Sequence, residues 1–384
     1  MPGSPRLSQR VRDLHPSPIR EILSVVSRPG MISFAGGLPA VETFPQFQLT
    51  PPPEVLQYGA TEGDAALREQ IAREMQALGL TCSAEQVLIL SGSQQGIDLV
   101  GKLFIDADTP VAVESPTYLA ALQVFRFFGA RFLSFHAGHP ETLAQGERPA
   151  FAYVIPTFQN PTGHCYSSEE RAALARTADA HGIVIFEDDP YRDLAYDVCD
   201  RTPICAQLKN TSWIYQGSFS KSLAPGLRLG FMISSPDLAP LLARLKQAAD
   251  LHSNRLSQWL VLQQLAHPDR SERLATLVDI YRKKRDAFAR ALKTNFSDLA
   301  DWETPKGGLF FWLTLKQAAN TSALLQAAIA QSLAFMPGEP FYPAPRGSNA
   351  TLRLNFSHAG EADAERGLAK LAQLIRKQLN EEHP

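Results

Sequence analysis

Between about residue 60 and residue 240 the chain alternates helical stretches with short apolar runs, and few architectures accommodate that alternation. Leu67, Ile71, Met75 and Leu78 recur at helical spacing, and the stretch stops at Gly79. Val87-Leu88-Ile89-Leu90 then reads as a buried strand, and Gln95 to Leu103 as the next helix. Val111-Ala112-Val113, Tyr153-Val154-Ile155, Ile183-Val184-Ile185-Phe186 and Trp213-Ile214-Tyr215 repeat the strand signal. Ser167 and Glu170 have capping-box spacing and open a helix running toward Gly182. Strands that are apolar throughout, rather than at every second residue, are covered on both faces. The pattern therefore predicts an α/β fold with a mainly parallel sheet between helices. A long helical region follows, and Leu368, Leu371, Ile375 and Leu379 mark a last amphipathic helix.

The 384 residues suggest two domains, or one large and one small, with ample core. A composition 45% hydrophobic and 20% charged is ordinary for a globular chain. The formal net charge of -2 gives no reason to expect nucleic acid or an acidic membrane as partner. Cys82, Cys165, Cys199 and Cys205 contain no C-x-x-C pair; they fit a reduced, cytoplasmic chain and read as packing residues rather than metal ligands. No apolar run approaches a membrane span. Arg6, Arg10 and Arg12 are not followed by the apolar stretch that a secretory signal requires.

In open α/β sheets, ligands bind beyond the carboxyl ends of the strands. Polar clusters follow five of the strand signals: Ser91 to Gln94, Glu114 to Tyr118, Gln159 to Gly163, Glu187 to Tyr191 and Gly217 to Arg228. In the last of these, Ser218, Ser220 and Arg228 suit a phosphate, and Lys221 offers an amine for Schiff-base chemistry. A phosphate clamp beside a reactive amine is what pyridoxal 5′-phosphate (PLP) requires; the alternative is a solvated lysine in a Ser/Gly turn. Ser91-Gly92-Ser93-Gln94-Gln95-Gly96 links a strand to a helix, so its backbone N–H groups can also receive a phosphate. Gly96 to Lys102 matches the start of a P-loop, but Leu103 stands where Ser or Thr is needed and the stretch lies inside an apolar helix. It is read as no nucleotide site.

Asp188 ends a very apolar strand, where a carboxylate is costly unless paired, and a protonated pyridine nitrogen would pair it. Tyr191 and Asn160 could hydrogen-bond the cofactor's phenolic oxygen, although a half-buried core tyrosine is the plainer reading of Tyr191. Arg353, in the alternating run Thr351 to Phe356, needs an anionic partner if it faces inward, and a substrate α-carboxylate suits it. The alternative is an exposed, salt-bridged strand arginine.

Taken in order, these residues resemble the fold-type I, class I PLP-dependent aminotransferases, and within them the kynurenine/2-aminoadipate branch. The resemblance covers nearly the whole chain. It runs from Pro18-Ile19-Arg20-Glu21-Ile22-Leu23 and Ser33 to Pro39, through Tyr58-Gly59 and the rim clusters, to Pro305-Lys306-Gly307-Gly308, Met336-Pro337-Gly338 and the Arg353 strand. It implies a seven-stranded, mainly parallel sheet in a large PLP domain, residues 46–275. Residues 1–45 and 276–384 would form a smaller α+β domain with an N-terminal lid. It also implies that Lys221 is the Schiff-base lysine, that Asp188 pairs the pyridine nitrogen, and that Asn160 and Tyr191 hold the phenolic oxygen. Ser93, Gln94, Ser218, Ser220 and Arg228 would bind phosphate and Tyr118 would stack on the ring. Tyr58 would reach the phosphate of the other subunit in a homodimer. Arg353 would clamp the substrate carboxylate with the Gly37 backbone and Asn160, and Arg20, on the lid, would meet the substrate side chain. The chain departs from the pattern after Pro45, where a short segment holding Pro51-Pro52-Pro53 precedes Tyr58.

The expected activity is amino-group transfer from an L-amino acid (2-aminoadipate, glutamate, aromatic or aliphatic) to a 2-oxo acid such as 2-oxoglutarate. A PLP lyase or decarboxylase uses the same cofactor set and is the alternative. A non-catalytic effector-binding domain, as in regulators that share this fold, is a third reading; it lacks support here, because no basic footprint for DNA is present.

Overall fold

The computed structural model describes residues 6–12, 28–47, 49–344 and 350–382. After a single turn, α1 (Gln9–Arg12), and a short strand, β1 (Ile32–Ser33), the alternating region begins with α2 (Ala65–Ala77), β2 (Val87–Leu90) and α3 (Ser93–Phe104). It continues through β3 (Pro110–Glu114), α4 (Leu119–Phe128), β4 (Arg131–Phe135), β5 (Phe151–Val154), α5 (Ser168–His181) and β6 (Val184–Asp188). It closes with β7 (Trp213–Ser218) and β8 (Gly230–Ser234). Helices α6 (Ala239–Asp250), α7 (Arg255–Ala266) and α8 (Arg270–Phe296) follow. The chain then adds β9 (Ala300–Trp302), β10 (Phe310–Leu315), α9 (Thr321–Ala330), β11 (Leu333–Ala334), β12 (Met336–Pro337), β13 (Thr351–Asn355) and α10 (Glu361–Glu382).

The seven-stranded sheet has the order β2-β8-β7-β6-β5-β3-β4, and only β8 runs against its neighbours. This is the mainly parallel α/β sheet that the sequence predicts. Each strand feeds both faces, because successive side chains point to opposite sides. Val87, Ile89, Ile185 and Ile233 pack with Leu67, Ile71 and Met75 of α2 and with Leu174 of α5. Leu88, Leu90, Phe186 and Met232 pack on the other side with Val100 of α3, Phe125 of α4 and Leu242 of α6.

Helix α5 starts as predicted: the Ser167 side chain accepts from Glu170 N–H and the Glu170 side chain accepts from Ser167 N–H. The helix ends on left-handed Gly182. The P-loop look-alike lies within α3, where Lys102 pairs with Asp98 at 2.6 Å.

A second sheet, β12-β13-β10-β9, is antiparallel and shares a core with the N-terminal segment: Phe34 and Ala35 pack with Phe288, Phe311 and Leu354. Ile32 and Ser33 pair in parallel with Leu333 and Ala334. Residue 275, where the sequence places a domain edge, falls inside the 27-residue helix α8. Leu277 and Tyr281, just beyond it, already belong to this second core. Between the two, Pro53–Leu56 forms an exposed 3-10 turn, and Arg255 donates to the carbonyls of Glu54, Gln57 and Tyr58.

Candidate active site

The carboxyl ends of β2, β3, β5, β6 and β7 open onto one cavity of about 360 Å³, and the second sheet closes its far side. Twelve of the predicted site residues line it: Gly37, Ser93, Gln94, Tyr118, Asn160, Asp188, Tyr191, Ser218, Ser220, Lys221, Arg228 and Arg353. Tyr58 is not among them. It is 76% exposed, and its ring meets the His252 ring edge-on at 5.7 Å. Arg20 lies outside the described residues.

One end of the cavity is a cup for an anion. Helix α3 begins there at Ser93, so its first N–H groups have no intrahelical acceptors and face the opening. The loop between β7 and β8 brings Ser218, Ser220 and Arg228 to the same place. Arg228 adopts the left-handed conformation (φ 49°) and lies against Gly92. A Cβ at Gly92 would sit 2.6 Å from the Arg228 guanidinium, and its φ of +84° suits glycine besides, so the close approach requires that residue.

The middle of the cavity is set by the end of β6. Because side chains alternate along a strand, Glu187 and Asp189 point to one side of the sheet and Asp188 to the other, into the cavity. Asp189 is engaged elsewhere, with Arg192 at 3.1 Å and the Tyr215 hydroxyl at 2.9 Å. Asp188 accepts from the Tyr153 hydroxyl at 2.8 Å and from Gln216 Nε2 at 2.9 Å. Burial pushes its carboxyl up to about 6, and these two hydrogen bonds and Asp189 modify that shift. A cation placed beside it would bring it back down.

Sequence reasoning does not single out Tyr153 and Gln216. A signal for them exists all the same: each is a polar group in an otherwise apolar strand, and Gln216 stands in register with Asp188 on the neighbouring strand.

Lys221 donates from Nζ to the Gly37 carbonyl at 2.9 Å. Burial, followed by Arg353 and Arg228, lowers its ammonium to about 8, so an appreciable share is neutral near physiological pH. Arg353 is 6% exposed, on β13, and contacts no carboxylate among the described residues. It donates to Asn160 Oδ1 at 2.8 Å and to the Ala35 carbonyl, and its guanidinium lies over the rings of Phe310 (4.2 Å) and Phe341 (4.9 Å). Its Nε is buried and bare. The N-terminal contact to Arg353 is therefore made by Ala35, while Gly37 lines the same cavity and its carbonyl accepts from Lys221. Asn160 also donates to the Tyr191 hydroxyl at 3.4 Å, and so links the middle of the site to its far end.

The model of the family described as aminotransferase class I and II matches residues 39–371. A 2-aminoadipate transaminase of Thermus thermophilus is 39% identical over 380 residues, 94% of each chain. Among solved structures, the alpha-aminoadipate aminotransferase LysN of Thermus thermophilus, complexed with N-(5'-phosphopyridoxyl)-L-leucine, superposes with a TM-score of 0.88 at 36% identity. That match covers 97% of this chain and 98% of the other. A Pyrococcus horikoshii kynurenine aminotransferase gives a TM-score of 0.89 at 33% identity, with 97% of both chains covered. The fold, the clustered rim residues and these matches agree, and the chain belongs to the class I and II aminotransferases.

Proposed function

We propose that the protein is a PLP-dependent aminotransferase that moves an amino group from an L-amino acid to a 2-oxo acid, with 2-oxoglutarate as the general acceptor. The observation that carries this reading is one cavity holding a buried carboxylate, a lysine of lowered pKa and a buried guanidinium that no carboxylate contacts among the described residues, beyond an anion cup. These residues fit the cofactor. The Ser93, Gln94, Ser218, Ser220 and Arg228 cup would hold the phosphate, Asp188 the pyridinium, Asn160 and Tyr191 the phenolic oxygen, and Tyr118 a ring face. When bound, the cofactor supplies an electron sink for the carbon that loses its proton.

The chain's own groups do the rest. Asp188, backed by Tyr153 and Gln216, would keep the cofactor's pyridine nitrogen protonated. Lys221 Nζ, neutral in part, accepts a proton from the substrate and returns it. Arg353 fixes the α-carboxylate in two-pronged geometry, which retains that carboxylate and disfavours decarboxylation. The class I and II match and the transaminase relatives also count against a lyase.

The substrate's side chain, the homodimer and the division into 46–275 against 1–45 with 276–384 are proposed from the family resemblance, and the cytoplasmic setting from the cysteine usage. The exposure of Tyr58 supports the homodimer, and the core that the N-terminal segment shares with the second sheet supports the division of the chain. For Arg20, on the proposed lid, Arg20→Ala raises KM for glutamate or 2-aminoadipate by about tenfold and spares leucine and phenylalanine. Equal losses for both classes leave Arg20 a structural role.

The direct test is a panel of amino acids with 2-oxoglutarate, read by glutamate formation against release of ammonia or CO2, with Lys221→Ala beside the wild type. Amino exchange in the wild type and none in the variant supports the reading, whereas ammonia or CO2 without exchange overturns it.

A further inference from the structure

Two of the cysteines expected to be packing residues lie together outside the cavity. Cys165 sits in the loop from β5 to α5 and Cys199 in the loop after β6, and both are partly exposed, unlike the buried Cys82 and Cys205. Cys165 and Cys199 pack against the same hydrophobic core, and each thiol acts on the other's ionisation. Cys165 Sγ also lies 3.4 Å from the carbonyl of Asp200, the residue after Cys199.

A charge stands behind the pair. Arg171 is fully buried, and among the described residues no carboxylate forms an ion pair with it. Its guanidinium donates to the carbonyls of Pro156, Tyr166, Asp200 and Thr202, to Thr157 Oγ1, and to Cys165 Sγ at 3.8 Å. A buried guanidinium satisfied by neutral oxygens has no counter-charge in direct contact among the described residues, and a thiolate at Cys165 supplies one. Cys199, and then Arg171, pull the Cys165 thiol below its ordinary value against the burial that opposes them. The other charged groups near the pair are Asp200 and Glu187 in the field of Arg171, and Arg201 and Lys306 in that of Cys199.

We propose that Cys165 is a peroxide-reactive nucleophile and Cys199 its resolving thiol, so that oxidation ends in a Cys165–Cys199 disulfide. The Cys165 thiolate attacks one oxygen of hydrogen peroxide and the O–O bond breaks. Hydroxide leaves, taking up a proton to become water, and Cys165 is oxidised to the sulfenic acid. Cys199 then loses its proton and attacks the Cys165 sulfur. The S–S bond forms, the S–O bond breaks, and a second water departs. In total, two thiols and one peroxide give one disulfide and two waters. The new bond ties the segment carrying Asn160 to the one carrying Tyr191.

The test is a titration of the whole protein with hydrogen peroxide, followed by peptide mapping, with Cys82 and Cys205 as internal controls. The wild type is expected to form one intramolecular Cys165–Cys199 bond, reversed by dithiothreitol, with Cys165 consumed at least about tenfold faster than either control. In Cys199→Ser a sulfenic acid persists at Cys165 and is trapped by dimedone, whereas Cys165→Ser leaves Cys199 reduced. Cys165 oxidising no faster than Cys82, or a disulfide to Cys82 or Cys205, overturns the proposal. The wild-type map decides alone if a variant does not fold, and none of these readings depends on amino-group transfer.

Discussion

Two arginines face the same cavity from opposite ends and are held in opposite ways. Arg353 is buried on a strand, aimed by Asn160 and Ala35 and flanked by two aromatic rings. Arg228 is an exposed loop residue whose side chain meets one protein acceptor, the Pro225 carbonyl at 3.4 Å. A fixed planar fork selects for a ligand of matching shape, while a loosely tethered charge among N–H and hydroxyl donors suits a group that is bound mainly by charge. The deep end is therefore built to discriminate and the rim end to grip.

The largest effect is expected between the two ends, at Asp188 in the middle of the cavity. Asp188→Asn keeps the shape and removes the negative charge, and is expected to lower kcat by about 10²- to 10³-fold. A near-native rate would show that no charge is needed there. Arg353→Lys comes next, with a loss of about tenfold to a hundredfold in kcat/KM for every amino acid, because a lysine cannot make the two-pronged contact. Arg228→Lys, by contrast, should weaken PLP retention about tenfold or less on dialysis and leave the amino-acid KM unchanged. If the two lysine variants shift the same parameter, the division of labour is wrong.

The smallest effect concerns the apoprotein's stability. Burial raises Asp188 to about 6, and Glu114 and Glu187 to about 7, all above their ordinary values. Groups shifted upward on folding contribute stability that is complete below the ordinary carboxyl pKa and lost as pH rises through the folded one. The Tm should therefore fall between about pH 4 and pH 7, and less steeply in Asp188→Asn. A Tm that rises over this window contradicts the burial of these carboxyls.

The parts of the molecule legible in the sequence are those where one physical signal dominates. Five strands announce themselves as unbroken apolar runs, and the α5 start is written in two residues three apart. The strands β4 and β8 escape that reading for different reasons. β4, Arg131-Phe132-Leu133-Ser134-Phe135, is an edge strand with only Phe135 fully buried, so its pattern is mixed. β8 follows Arg228 so closely that it merges with the polar loop before it. At the site, residues that carry charge are readable, because charge at a strand end is costly and asks for a reason. Residues that only support them, such as Tyr153 and Gln216, look like ordinary strand members until the register is known. The Cys165–Cys199 contact joins two loops that no local pattern links.

The single antiparallel strand also bears on how this family's sequences can drift. Because β8 turns back beside β7, Ser218, Ser220, Lys221 and Arg228 all ride on one short hairpin loop whose two ends are fixed in the sheet. At those ends stand Gly217 and Gly230. A methyl group at Gly217 would strike the Phe231 ring at 2.4 Å, and one at Gly230 would lie 2.9 Å from the Gly217 carbonyl and 3.0 Å from Ser93 N. The loop between them is pinned as well by Phe219, Leu223 and Leu229, which are buried in the core, and a change at either glycine pushes the anion cup open as it distorts the sheet. Mutational tolerance should accordingly be low at two residues that touch no substrate and carry no functional group.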